Sequence, residues 1–140
     1  MYYVNQEQIS VRLAVIPSLA ESIRQLQQQW SGTAIEQLAQ ERALHIAIEI
    51  ATDVGSYLID GFLMRDASSY EDIVEITAGE GVYPEGMQEV LLELVRLRRP
   101  LVQEYYEWKS EELHPLMIQL PQLLEQFKDA VEQYVAKELI

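Results

Sequence analysis

The chain has 140 residues, no cysteine and a formal net charge of −13. That length makes one domain. The missing thiols exclude disulfides, thiolate metal sites and cysteine nucleophiles, and the acidity excludes general nucleic-acid binding, which needs Lys and Arg against phosphates. No stretch approaches the roughly 18 to 20 apolar residues of a bilayer span. The N-terminus lacks a basic region leading into an apolar run. The expectation is a soluble cytoplasmic protein that touches no membrane.

Helical spacing runs through nearly the whole chain, and strand alternation is sustained nowhere. Ile9, Leu13, Ile16, Leu19, Ile23, Leu26 and Trp30 form one apolar stripe. Pro17 lies inside it and should kink or restart the helix, because it has no amide to donate. "SGTAIEQ" breaks the pattern, and Thr33 with Glu36 reads as a capping box. The second helix runs from there to about Leu63. Its sequence "ALHIAIEIATDVGSYLI" is apolar almost all round, which predicts either a central helix or one that feeds both core and dimer interface.

Ser68 and Glu71 suggest a second capping box, opening a short helix that ends near Gly79, a residue suited to positive φ beyond a helix end. Pro84 fits the first position of the next helix. That fourth helix carries Met87, Val90, Leu91, Leu94, Arg98, Leu101 and Tyr105 on one stripe, with Pro100 removing the bond to the Arg96 carbonyl and bending it. The last helix is expected to open near Ser110, with Glu111, Glu112 and Pro115 in its first turn, and to kink at Pro121. The fold class is therefore all-α: an antiparallel up-and-down bundle of four long helices and one short one, with proline kinks, over residues 1–140.

Charged residues on apolar stripes are the candidates for chemistry. Arg98 interrupts its stripe, so it is either ion-paired inside the bundle, with Glu49 or Asp53 as partner, or projected into a cleft. Arg96, Arg98 and Arg99 form the one tight basic cluster. His45 follows Glu41 by four residues and precedes Glu49 by four, and Asp53 continues the same face. His45 reads either as a satisfied core or interface histidine or as a proton-transfer group. "EELH", Glu111 to His114, is a single Glu-x-x-His pair. A di-iron bundle needs two, so no metal and no cofactor is expected.

The stretch "RRPLVQEYYEW", with "ERALHIAIEIATDVGSYLIDGF" and "SYEDIVEITAGEGV" before it, resembles the HepT-like family of the HEPN superfamily. The family's mark is Arg, four residues, His, one residue, Tyr. Here that frame falls on Arg98, Gln103 and Tyr105. The resemblance implies a homodimer with a shared cleft, RNA cut without a metal, and a nucleotidyltransferase-fold antitoxin as partner. It also implies that Tyr105 is where AMP would be attached. Arg98 would stabilise charge on a phosphate, with Arg99 as a possible support. Gln103 stands in the histidine position, and an amide moves no proton at neutral pH. The reading is a toxin-side ribonuclease that is weakened or inactive. The alternative is a non-catalytic dimeric module that docks a nucleotidyltransferase-fold or other protein partner.

Overall fold

A computed structural model describes residues 2–109 and 111–139. The chain is an all-helical bundle: α1 (Gln6–Leu13), α2 (Ile16–Gln29), α3 (Ala34–Gly61), α4 (Tyr70–Gly79), α5 (Met87–Arg96) and α6 (Leu116–Glu138). A π-helical turn (Arg99–Gln103) and a 3₁₀ turn (Tyr105–Glu107) follow α5. Among the described residues no helix is long and apolar enough to cross a membrane.

The expected first helix is two helices. Pro17 occupies the opening turn of α2, where its missing amide leaves no bond unmade, and the chain restarts at Ile16. The apolar stripe is kept across the break: Ile9, Leu13, Ile16, Leu19, Ile23 and Leu26 are all buried. α3 opens on the expected capping box. The Thr33 hydroxyl accepts from the Glu36 amide at 3.2 Å, and the Glu36 carboxylate accepts from the Thr33 amide at 3.2 Å.

α3 is the central helix. It packs against α1, α2, α4, α5 and α6, which explains why it is apolar on nearly every side. Leu44, Ile48 and Leu58 are fully buried, facing Ile16, Ile23, Leu91, Leu94 and Phe127 in one core. Gly55 lets α4 come close, because an added Cβ there would overlap Ile73.

α2 and α6 run antiparallel, since Gln27 meets Met117 while Arg24 meets Glu125. Pro121 sits inside α6 and cannot donate to the carbonyl four residues back, that of Met117. The side chain of Gln27 donates to that carbonyl instead. A partner helix thus fills the gap a proline leaves.

Several boundaries differ from the sequence expectation. The cap of α4 is Ser69, not Ser68: its hydroxyl accepts from the Asp72 amide at 3.0 Å. Asp72 then takes the role expected of Glu71, accepting from the Ser68 amide at 2.9 Å. α4 ends at Gly79 as expected, but the left-handed residue is Gly81, with φ 79°. Pro84 lies in the turn before α5, whose cap is Gly86 in a left-handed conformation. Glu111 and Glu112 precede α6, which starts at Leu116 behind Pro115, and the His114 ring Nδ1 accepts from the Leu116 amide at 3.1 Å. Ser110, the expected opening of that helix, lies outside the described residues.

The largest correction concerns the fourth helix. It does not bend at Pro100 and continue; regular α-helix ends at Arg96. Pro100 has no amide for the Arg96 carbonyl, and the turn widens until the Glu104 amide donates to the Arg99 carbonyl, five residues back, at 2.9 Å. Tyr105 therefore leaves the stripe it was expected to share with Arg98. It is 68% exposed and Tyr106 73%.

Candidate functional site

The helix break fixes where Arg98 stands. It lies at the last turn before the π-helical segment, beside the middle of α3 and the start of α4. Its guanidinium carbon is 4.2 Å from the centroid of the Tyr70 ring. Its Nε is buried, and no described residue hydrogen-bonds it. Glu49 of α3 is its nearest acid, but Nε to Glu49 Oε1 is 3.8 Å, too long for a hydrogen bond. The side chain is 23% exposed. The result is a cation held by an aromatic face and ion-paired with a nearby carboxylate, with no hydrogen bond from its Nε to any described residue.

Three other arginines are held more tightly. Arg12 donates to Asp53 at 3.0 Å, Arg24 to Glu125, and Arg65 grips both oxygens of Asp72 at 2.7 Å. These side chains are locked into hydrogen-bonded pairs, whereas Arg98 is ion-paired with Glu49 without a hydrogen bond, as Arg96 is with Glu71 and Arg99 with Glu104.

The same Glu49 oxygen that faces Arg98 lies 3.4 Å from His45 Nε2. His45 and Glu49 are one turn apart on α3, so the fold joins an imidazole, a carboxylate and a guanidinium around one oxygen atom. His45 is half-buried, with its side chain 33% exposed.

Four expected site residues fall outside this cluster. Asp53 is bonded to Arg12, whose guanidinium also covers the Tyr57 ring. Arg99 is largely exposed and faces Glu104 at 3.4 Å. Gln103 and Tyr105 lie beyond the helix break, both exposed, and neither hydrogen-bonds Arg98. Tyr70 was not singled out in the sequence; a tyrosine after a serine cap carries no signal of its later contact with a residue from another helix.

The end of α1 and the middle of α3 frame a groove of about 360 Å³ that reaches Glu49 and is lined by Val11, Val15, Arg42 and Ile46. Val11 and Val15 are 52% and 42% exposed, and Ile35 and Leu38, earlier on the same α3 stripe, are 79% and 65% exposed. A larger groove, about 1040 Å³, lies between the 80–87 turn and α6. Its lining sets Glu80, Glu85, Asp129 and Glu138 against Lys137, and it holds none of these residues.

Known proteins resemble this chain in sequence and in fold. A profile of the family described as "Ribonuclease HepT-like" matches residues 14–131. The protein named "Putative RNase YutE" from Bacillus subtilis (strain 168) is 34% identical over 139 residues, covering 99% of this chain and 95% of its own length. A solved structure described as the cytosolic protein of unknown function YutE from Bacillus subtilis superposes with a TM-score of 0.88 at 33% identity, over 99% of this chain and 96% of that one. A second, described as a toxin–antitoxin with AMP-PNP, shares the fold with a TM-score of 0.74 at 18% identity, over 88% of this chain and 96% of the other.

Proposed function

Since the chain belongs to the HepT-like ribonuclease family, we propose that it is the toxin-side member of a toxin–antitoxin pair. In this reading it is a metal-independent RNA endonuclease weakened at Gln103. The observation that carries the proposal is Arg98: a guanidinium set over Tyr70 and beside Glu49, whose Nε makes no hydrogen bond to any described residue. A cation pre-placed in this way stabilises a phosphate on which charge develops, and spends little on reorganisation. The net charge of −13 opposes RNA elsewhere on the surface, so binding would be local to this cluster.

The protein would work as a homodimer. The exposed Val11, Val15, Ile35 and Leu38 beside the α1–α3 groove favour a second copy on that face, next to Glu49. A nucleotidyltransferase-fold antitoxin would be the partner. Tyr105 would be its modification site, for which an exposed ring is the necessary condition. The similar fold of a toxin–antitoxin described with AMP-PNP fits a nucleotide-using partner.

Gln103 favours a second reading, a dimeric module that binds its partner and cuts nothing, because an amide neither takes nor gives a proton here. Incubation with RNA in EDTA separates the two. The nuclease cuts, and Arg98→Ala abolishes cutting. If wild type never cuts, and Gln103→His creates no activity, the module remains. Intact mass after co-expression with the antitoxin reports added AMP, and Tyr105→Phe should remove it.

A further inference from the structure

Resting on the nuclease reading, we infer that His45 is the group that takes the proton from the attacking hydroxyl, held for that task by Glu49 and placed beside the phosphate that Arg98 binds. Three observations carry this. His45 Nε2 and Arg98 Nε lie 3.4 and 3.8 Å from the same Glu49 oxygen, so base and phosphate binder are neighbours. The His45 side chain is 33% exposed and that of Glu49 42%, so both reach solvent. The position the family motif reserves for its proton carrier holds Gln103, which lies beyond the helix break and cannot do the work.

In this proposal the Glu49 carboxylate, 3.4 Å from Nε2, orients the imidazole so that the neutral ring carries its hydrogen on Nε2 and Nδ1 accepts the substrate proton. In cleavage, Nδ1 takes the proton of the ribose 2′-hydroxyl. The 2′-oxygen forms a bond to phosphorus, and the bond from phosphorus to the 5′-oxygen breaks. The departing 5′-oxygen takes a proton from solvent, and the imidazolium returns its own to solvent. The products are a 2′,3′-cyclic phosphate and a 5′-hydroxyl. Arg98 balances charge on the phosphate oxygens, and Glu49 is a positioning residue. Charged groups close to His45 in the chain are Glu41, Arg42 and Glu49. Arg98 approaches from the end of α5, while Arg12 and Asp53 are bonded to each other one turn further along α3.

The test is steady-state cleavage of a fluorescently labelled single-stranded RNA in EDTA. His45→Ala should lower kcat about 100-fold, in the range that positioned proton transfer supplies, with KM changed little. Free imidazole in the buffer should restore part of the loss. His45→Gln, which keeps a polar side chain of similar reach on the helix, should lose kcat equally, and Glu49→Gln should lose less. Melting curves confirm that each variant is folded. Unchanged kcat in both His45 variants, with Arg98→Ala inactive, overturns the role of His45 and leaves the nuclease reading standing. So does a loss that imidazole fails to rescue. Wild-type protein that cuts no RNA overturns both.

Discussion

The Arg98 guanidinium carbon lies 4.2 Å over the ring of Tyr70, the first residue of α4. This contact joins the end of α5 to the start of α4, and it holds the cation without using its hydrogen-bond donors. An aromatic face attracts a cation by roughly 0.5 to 1 kcal/mol at a partly exposed site. Tyr70→Ala should therefore weaken RNA binding several-fold by letting Arg98 wander, while Tyr70→Phe, which keeps the face, should bind as wild type does. Anisotropy titration measures both. Equal weakening by the two variants would mean that the hydroxyl, not the ring, matters.

Pro121 and Gln27 should be energetically coupled. Gln27 donates to the Met117 carbonyl that Pro121 leaves free. Gln27→Ala should cost about 1 kcal/mol or somewhat more, because an acceptor is left unpaired. In a Pro121→Ala background the restored amide at position 121 takes that carbonyl, and the same Gln27→Ala change should cost much less. A double-mutant cycle by urea denaturation reads the coupling. Additive effects would contradict this account of α6.

Asp72 makes stability depend on acid pH. The Arg65 guanidinium, with help from the Ser68 amide, holds its carboxyl well below the usual carboxylate range. A folded-state pKa below the unfolded one means that the stabilisation is full above the unfolded value, about 3.9. It is lost as pH falls through the folded value. Asp72→Asn should thus be less stable than wild type at neutral pH, and the gap should narrow steadily below about pH 4. Denaturation midpoints across that range check it, and a gap independent of pH would refute it.

Much of the architecture could be read in the residues, and the reasons are local. The Thr33–Glu36 cap acts within one turn, and the stripe from Ile9 to Leu26 survives a helix break because spacing and burial go together. The all-round apolarity of α3 announced its central place. What could not be read depends on contacts between distant segments. Arg98 had two candidate acids on α3, and the choice went to Glu49 because Arg12, 41 residues from Asp53, takes that one. Tyr70 became visible only once α4 was folded against α5. Pro100 was visible, but its effect was larger than a bend, so the even spacing of Arg98 and Tyr105 did not survive as a shared face.

The central claim is that Arg98, held over Tyr70 beside Glu49, meets a phosphate, and binding tests it whether or not the protein cuts. A short RNA with 2′-O-methyl groups cannot be cleaved by its own hydroxyls. Its affinity, measured by anisotropy at fixed low salt, should fall by about 10-fold or more in Arg98→Ala, as expected for loss of hydrogen bonds to a charged group. It should stay unchanged in Arg65→Ala, whose guanidinium is already bonded to Asp72. Equal affinity in wild type and Arg98→Ala would contradict the account.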